Sequence, residues 1–273
     1  MDLGKQNILF FTRTMMLGGT ENVVLQLCEV FKPKVNKIVV CSCGGVNVEK
    51  LTEMGIRHYQ IPDISSKKDM FKICRTVKKI VEKEQITVIH SHHRMAAFYT
   101  EILFGSSIIK IANAHNTFFD KKLLTRFAYR NTKVIAVGKM VKKNLVDYFR
   151  IPEKQVSVIH NAVKPFDGDY IEDKYIRKLH DDGNFVVGNI GRLSEQKGME
   201  YFIEAIPKIL KKYPRTRFVI AGNGEDEQKL FNLVKKLGIE ECIKFLGYRK
   251  DVQNLMSQLD LIVLSSLWEG LPL

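Results

Sequence analysis

The residues best suited to chemistry sit mostly in the last third of the sequence. Gly191-Arg192-Leu193-Ser194-Glu195-Gln196-Lys197-Gly198 sets a planar guanidinium fork and a mobile ammonium at the entrance of a helical segment, where together they can hold a diphosphate. Ala221-Gly222-Asn223-Gly224-Glu225 is a second Gly-rich connection, open enough for a planar ring or a ribose to lie against backbone. Glu269-Gly270-Leu271-Pro272 adds one carboxylate. Near the start, Gly18-Gly19-Thr20-Glu21 runs into a helix expected from Asn22 to Phe31, so backbone N–H groups and the helix N-terminus can meet an anion. The same glycine pair also suits a plain tight turn. It is neither a P-loop nor a GxGxxG turn.

Histidines form another group. Three segments end in them: VIHSHH with His90, His92 and His93, IANAHN with His115, and SVIHN with His160. His90 and His92 could share a strand face and a metal, but no Cys, Asp or Glu stands beside them to complete a ligand set. His115-Asn116 is better suited to hydrogen bonding a polar substrate, or to closing its own loop. No pair of carboxylates on one crest is evident for the double displacement of a retaining glycosidase.

Short β-rich apolar runs alternate with segments of helical period, the pattern of right-handed βαβ units and parallel sheets. The spacing predicts strands over 7–12, 37–42, 57–61, 86–90, 109–114, 133–137 and 155–159, then 185–190, 217–221, 242–246 and 261–265. Residues 164–184, with a Pro, two Gly and seven acidic or amide residues, break the series. Two Rossmann-like doubly wound domains are therefore expected, 1–163 and 164–273. Such sheets gather ligands at the carboxyl ends of their strands, where each motif above falls. The last strand lacks a crossover helix, so the second domain is expected to be incomplete.

Composition narrows the class. With 45% hydrophobic and 27% charged residues, the 273-residue chain can bury a core, which excludes disorder as its main state. Five cysteines without CxxC spacing suit reduced thiols in a cytoplasm. No run approaches a bilayer span, and Ile8–Phe11 is too short for a signal core. The net charge of +13 resides wholly in residues 1–163, which hold 26 basic and 13 acidic residues, against 17 of each in the remainder. Ten of the basic residues fall in 121–154, with Lys122, Arg126 and Arg130 expected on one helical face and Lys139 and Lys143 on another, Lys142 beside them. Leu123, Leu124, Phe127, Val141 and Leu145 lie among them. Such helices suit an anionic membrane surface, or are simply a solvated face. Few aromatics are interleaved as a stacking platform, so nucleic acid is not expected as a partner.

GGTE near the start, VIHNAV at the end of the first domain, and then IGRLSEQKG, AGNGED, FLGYRKDV and SSLWEGLPL follow in order. This set resembles the GT-B fold, retaining glycosyltransferases of family 4, over essentially the whole chain; GRLSEQKG and EGLPL are its most specific parts. The resemblance implies transfer of a sugar from a nucleotide-diphosphate sugar to an acceptor with the anomeric configuration kept; a UDP-sugar is expected, and the basic, apolar-edged helices point to a saccharide or lipid-linked acceptor of a cell-surface polysaccharide such as a capsule. It implies no cofactor and no metal. The first domain would serve the acceptor, the second the nucleotide-sugar donor.

Carried over residue by residue, the resemblance implies that Gly18 and Gly19 lie near the donor phosphates and sugar. Arg192 and Lys197 would bind the diphosphate, and Glu269, Gly270 and Leu271 the transferred sugar. Gly222, Asn223 and Gly224, with the Leu246-Gly247-Tyr248 turn, would meet the nucleotide, and His115 the sugar near the reacting carbon. His115 and Glu269 are thus the expected catalytic residues. The family's VSE is replaced here by Val137-Gly138-Lys139, and the second Glu of its E-x7-E motif would fall eight positions past Glu269, beyond Leu273. Peripheral contact with the inner face of the cell membrane, through Lys122, Arg126, Lys139, Lys142 and Lys143, is expected. The alternative is a truncated, non-catalytic fragment or a membrane-docking partner subunit.

Overall fold

The computed structural model describes residues 2–163, 165–166 and 168–271; Lys164 and Asp167 of the expected hinge and Pro272 of the last motif lie outside the described residues. The chain divides into two compact units, Met1–Val163 with Gly270–Leu273, and Lys164–Glu269.

The first unit alternates strand and helix: β1 (Asn7–Phe11), α1 (Gly19–Phe31), β2 (Lys37–Ser42), α2 (Val48–Glu53), β3 (Arg57–Gln60), α3 (Met70–Glu84), β4 (Val88–Ser91) and α4 (Arg94–Phe104). It continues through β5 (Ile109–Ala114), α5 (Lys122–Ala128), β6 (Lys133–Ala136), α6 (Lys139–Lys143), a π-helical turn (Asn144–Tyr148) and β7 (Val156–Val158). The strands form one parallel sheet in the order β3-β2-β1-β4-β5-β6-β7. All five residues of β1 are buried, as expected for a central strand covered on both faces, whereas the edge strand β3 has no buried residue. Leu9, Phe11 and Ile89 pack with Val77 and Ile80 of α3 on one face, and Phe10 and Val40 with Val24 and Cys28 of α1 on the other. The order reverses between β1 and β4. A ligand crevice is therefore expected at their carboxyl ends.

The second unit holds α7 (Lys174–Asp181), β8 (Phe185–Ile190), α8 (Met199–Lys212), β9 (Thr216–Ala221), α9 (Glu227–Leu237), β10 (Ile243–Gly247), α10 (Val252–Met256) and β11 (Leu261–Ile262). Its parallel sheet runs β10-β9-β8-β11, so its switch point lies between β8 and β11. Asp173 starts α7 by accepting the N–H groups of Tyr175 and Ile176, and Arg249 ties that carboxylate to Asp251.

Three expectations are corrected. The last strand ends at Ile262 rather than 265: Val263 N–H makes the last bond to β8, at Gly188 O, and beyond it the Ser265 hydroxyl donates to Lys197 O and accepts from Asn189 Nδ2. Arg130 does not continue the face of Lys122 and Arg126, since α5 stops at Ala128 and Tyr129 turns into the core. Gly270 and Leu271 pack with the first unit, not the second: a Cβ on Gly270 would stand 2.0 Å from His115 O, and Asn161 Nδ2 donates to Leu271 O. Among the described residues no helix is long and apolar enough to cross a membrane.

Candidate functional site

The carboxyl ends of β8 and β11 gather the second unit's candidate residues. The chain leaves β8 through Gly191 and a 3-10 turn, Glu195–Lys197, and enters α8 from Gly198, whose left-handed backbone (φ +56°) and crowding by Ser265 O exclude a side chain. Lys197 runs back across Gly191, and its Nζ donates to Glu269 Oε1 at 2.6 Å, with both side chains about three-quarters buried. An ammonium and a carboxylate thus meet beside the switch point of the sheet. Arg192 is mostly exposed, and its Nε and Nη2 hold Glu225 Oε2 at 3.1 and 3.0 Å. Each of the two expected diphosphate ligands therefore already has a carboxylate partner.

The glycines of Ala221–Glu225 have a role inside the fold that their spacing did not reveal. A Cβ on Gly222 would lie 1.8 Å from Gly191 O, and one on Gly224 2.2 Å from Leu193 O. The two loops are stitched by Leu193 N–H to Asn223 O and Asp226 N–H to Leu193 O, while Gly222 N–H donates to Gly247 O. The close approach accommodated by Gly222 and Gly224 is thus that of neighbouring backbone, which brings Asn223 and the Leu246-Gly247-Tyr248 turn to the same crest. Tyr248 is exposed there.

In the first unit, Gly18 caps α1 in extended conformation and Gly19 is its first residue. Glu21 reaches back over this turn: its carboxylate accepts from Thr14 Oγ1, and a Cβ on Gly18 would meet its Oε2. A carboxylate thus occupies part of the space where an anion was expected. The histidines do converge, at the carboxyl ends of β4 and β5. His90 and His92 rings lie 4.5 Å apart and His92 and His115 stack at 5.3 Å. His90 Nε2 bonds Asn113 Oδ1 at 2.9 Å, and His92 Nδ1 bonds His115 Nε2 at 3.1 Å. His93 instead caps α4 by accepting Met95 N–H, and His160 Nδ1 bonds Val137 O. Burial holds His90, His93 and His115 down to about 4 and pushes His92 well below the usual imidazole value, so these rings are neutral at pH 7.

The basic segment divides by burial. Val141 and Leu145 belong to the core, whereas Leu123 is 80% exposed, and Phe119 and Met140 are exposed near the cations of α5 and α6. Lys122 Nζ sits 5.0 Å over the Tyr148 ring and Lys142 pairs with Glu153 at 2.9 Å, while Arg126, Lys139 and Lys143 are exposed.

Sequence reasoning missed that Glu225 pairs with Arg192, that Glu21 reaches over the α1 turn and that His92 bonds His115. Glu225 directly follows the Gly-rich loop, and a charge there opposite Arg192 was the available signal. Nothing local marks His92, because its partner comes from a different strand.

The model for Glycosyltransferase Family 4 matches residues 17–165 and that for Glycosyl transferases group 1 matches residues 171–273. Among relatives, the Escherichia coli UDP-Gal:alpha-D-GlcNAc-diphosphoundecaprenol alpha-1,3-galactosyltransferase is 27% identical over 287 residues, covering 94% of this chain and 73% of its own. The GPI3 component of the Saccharomyces cerevisiae phosphatidylinositol N-acetylglucosaminyltransferase is 24% identical over 280 residues, covering 93% and 61%. The crystal structure of Anabaena HepE in complex with UDP superposes with a TM-score of 0.76 at 21% identity, over 96% of this chain and 74% of that one, and shares the GT-B fold. The chain spans about half the length of the first curated relatives it matches. With the family model matched over more than half of its residues and the group 1 model over most of the rest, the chain belongs to glycosyltransferase family 4.

Proposed function

We propose that this chain carries the donor-binding and acceptor-binding units of a retaining, metal-independent transferase that moves a sugar from a UDP-sugar to a lipid-linked saccharide of a cell-surface polysaccharide. The observation that carries the donor half is the Lys197–Glu269 pair beside the β8/β11 switch point, with Arg192 on the adjoining loop. Lys197, Arg192 and the N-terminus of α8 neutralise a diphosphate as the glycosidic bond lengthens, which does the work of a metal ion. Glu269 accepts hydrogen bonds from sugar hydroxyls. The bond from the anomeric carbon to the phosphate oxygen breaks, the acceptor oxygen bonds that carbon on the same face, and the leaving phosphate oxygen takes the acceptor's proton.

UDP and a lipid diphosphate acceptor are favoured by the reaction named for the E. coli relative. The exposed Leu123, Phe119 and Met140 beside Arg126, Lys139 and Lys143 favour an acceptor presented at an anionic leaflet, with the first unit resting on its cytoplasmic side. The test is calorimetry and sugar-release assay with UDP-glucose and UDP-galactose in EDTA. Metal-independent binding that is lost in Lys197→Ala is expected. Binding that needs a divalent cation, or that survives loss of both Lys197 and Arg192, rules out this donor site.

A further inference from the structure

The imidazole of His92 is buried, with 2% of the residue exposed, and takes no part in the functional reading above. Its Nδ1 meets Nε2 of His115 at 3.1 Å, and its own Nε2 is buried with no partner among the described residues. His90 packs against it at 4.5 Å, held through Nε2 by Asn113, and the Phe10 ring lies 5.8 Å away. A neutral imidazole has one N–H and one lone pair, so two proton arrangements satisfy the His92–His115 bond. If His115 donates from Nε2, then His92 carries its proton on Nε2, a buried N–H without an acceptor. If His92 donates from Nδ1, the buried Nε2 is only a bare lone pair. Orphaned buried N–H groups are the rarer of the two kinds, so the second arrangement is favoured. His115 then carries its own proton on Nδ1, the ring nitrogen that His92 leaves available to a ligand.

We infer that His92 is a positioning residue that locks His115 as the Nδ1–H tautomer, so that a ligand at the crest of the first unit's sheet meets a hydrogen-bond donor and not a base. It accounts for a histidine pair at the ends of adjoining strands with no carboxylate beside it among the described residues. A backing imidazole fixes which nitrogen is protonated without adding a charge to the crest.

The test is the two- and three-bond proton–nitrogen coupling pattern of nitrogen-15 histidine in the ligand-free protein at neutral pH, which reports tautomers directly. Wild-type His115 is expected as Nδ1–H. His92→Leu is expected to release it towards the Nε2–H form that an unconstrained imidazole favours, and His92→Asn, whose amide N–H replaces Nδ1–H, to restore it. His115 protonated at Nε2 in wild type, or unchanged in His92→Leu, overturns the inference; the wild-type spectrum alone decides the first point if His92→Leu does not fold.

Discussion

At Arg192 and Lys197 the cations are not waiting bare for a ligand; each holds a carboxylate. An ammonium has three N–H donors and a guanidinium five, so both can keep a carboxylate and still bind phosphate oxygens. The Arg192–Glu225 pair is exposed and screened by solvent, so it adds little stability in itself. Arg192→Ala is therefore expected to weaken UDP by about 1.5–3 kcal/mol, whereas Glu225→Gln frees the guanidinium and tightens UDP a few-fold. Calorimetry at fixed ionic strength checks both signs. The histidines of the first unit give a pH dependence. Their folded pKa values lie below the unfolded value near 6.5, at about 4 for His90, His93 and His115. Between those limits the unfolded chain binds more protons than the folded one, so stability is full above pH 6.5 and is lost as pH falls towards 4. Below that, Asp63 and Glu84, held at about 2 by Arg13 and by Tyr59, Lys37 and Arg57 respectively, extend the acid loss. Urea unfolding of the first unit followed from pH 7 to 4.5 is expected to show a steadily falling midpoint; a flat profile would remove the argument.

Among elements, the loop leaving β8 and the loop leaving β9 act as one piece, because Gly222 and Gly224 let the second lie directly on the backbone of the first. Gly222→Ala forces a methyl into Gly191 O at a φ of +143° that L residues rarely adopt, so loss of several kcal/mol from the second unit is expected. Gly238→Ala is its control. It has positive φ but open space around it, and should cost only about 1 kcal/mol. Denaturant midpoints of the two variants, with nucleotide binding measured beside them, separate crowding from backbone strain.

For the molecule as a whole, charge is the feature that composition alone conceals: all of the +13 belongs to residues 1–163. Basic side chains near an anionic bilayer contribute about 1 kcal/mol each, and exposed Leu123 and Phe119 add apolar area that can enter the headgroup layer. Co-sedimentation is expected with anionic but not neutral vesicles, weakening with salt and in a variant with Lys139, Lys142 and Lys143 changed to Glu. Lys142 is already paired with Glu153, so Lys139 and Lys143 should account for most of the change. Binding indifferent to lipid charge would refute the membrane role and leave the donor site untouched.

The alternation of apolar runs and helical segments was enough to place the strands, since buried parallel strands need continuous apolar residues whatever surrounds them. Strand β5 and strand β8 fall where the pattern put them. The glycine- and cation-bearing turns at the strand ends were equally legible as turns, because those residue types report local backbone and charge. Pairing across the sheet was not. The partners Lys197 and Glu269, Arg192 and Glu225, and His92 and His115 are 72, 33 and 23 residues apart. They meet only because β8 lies beside β11 and β9, and β4 beside β5. Strand order is chosen by packing of the whole sheet, so no window of sequence contains it, and with it goes the protonation and pairing state of every group at the crest.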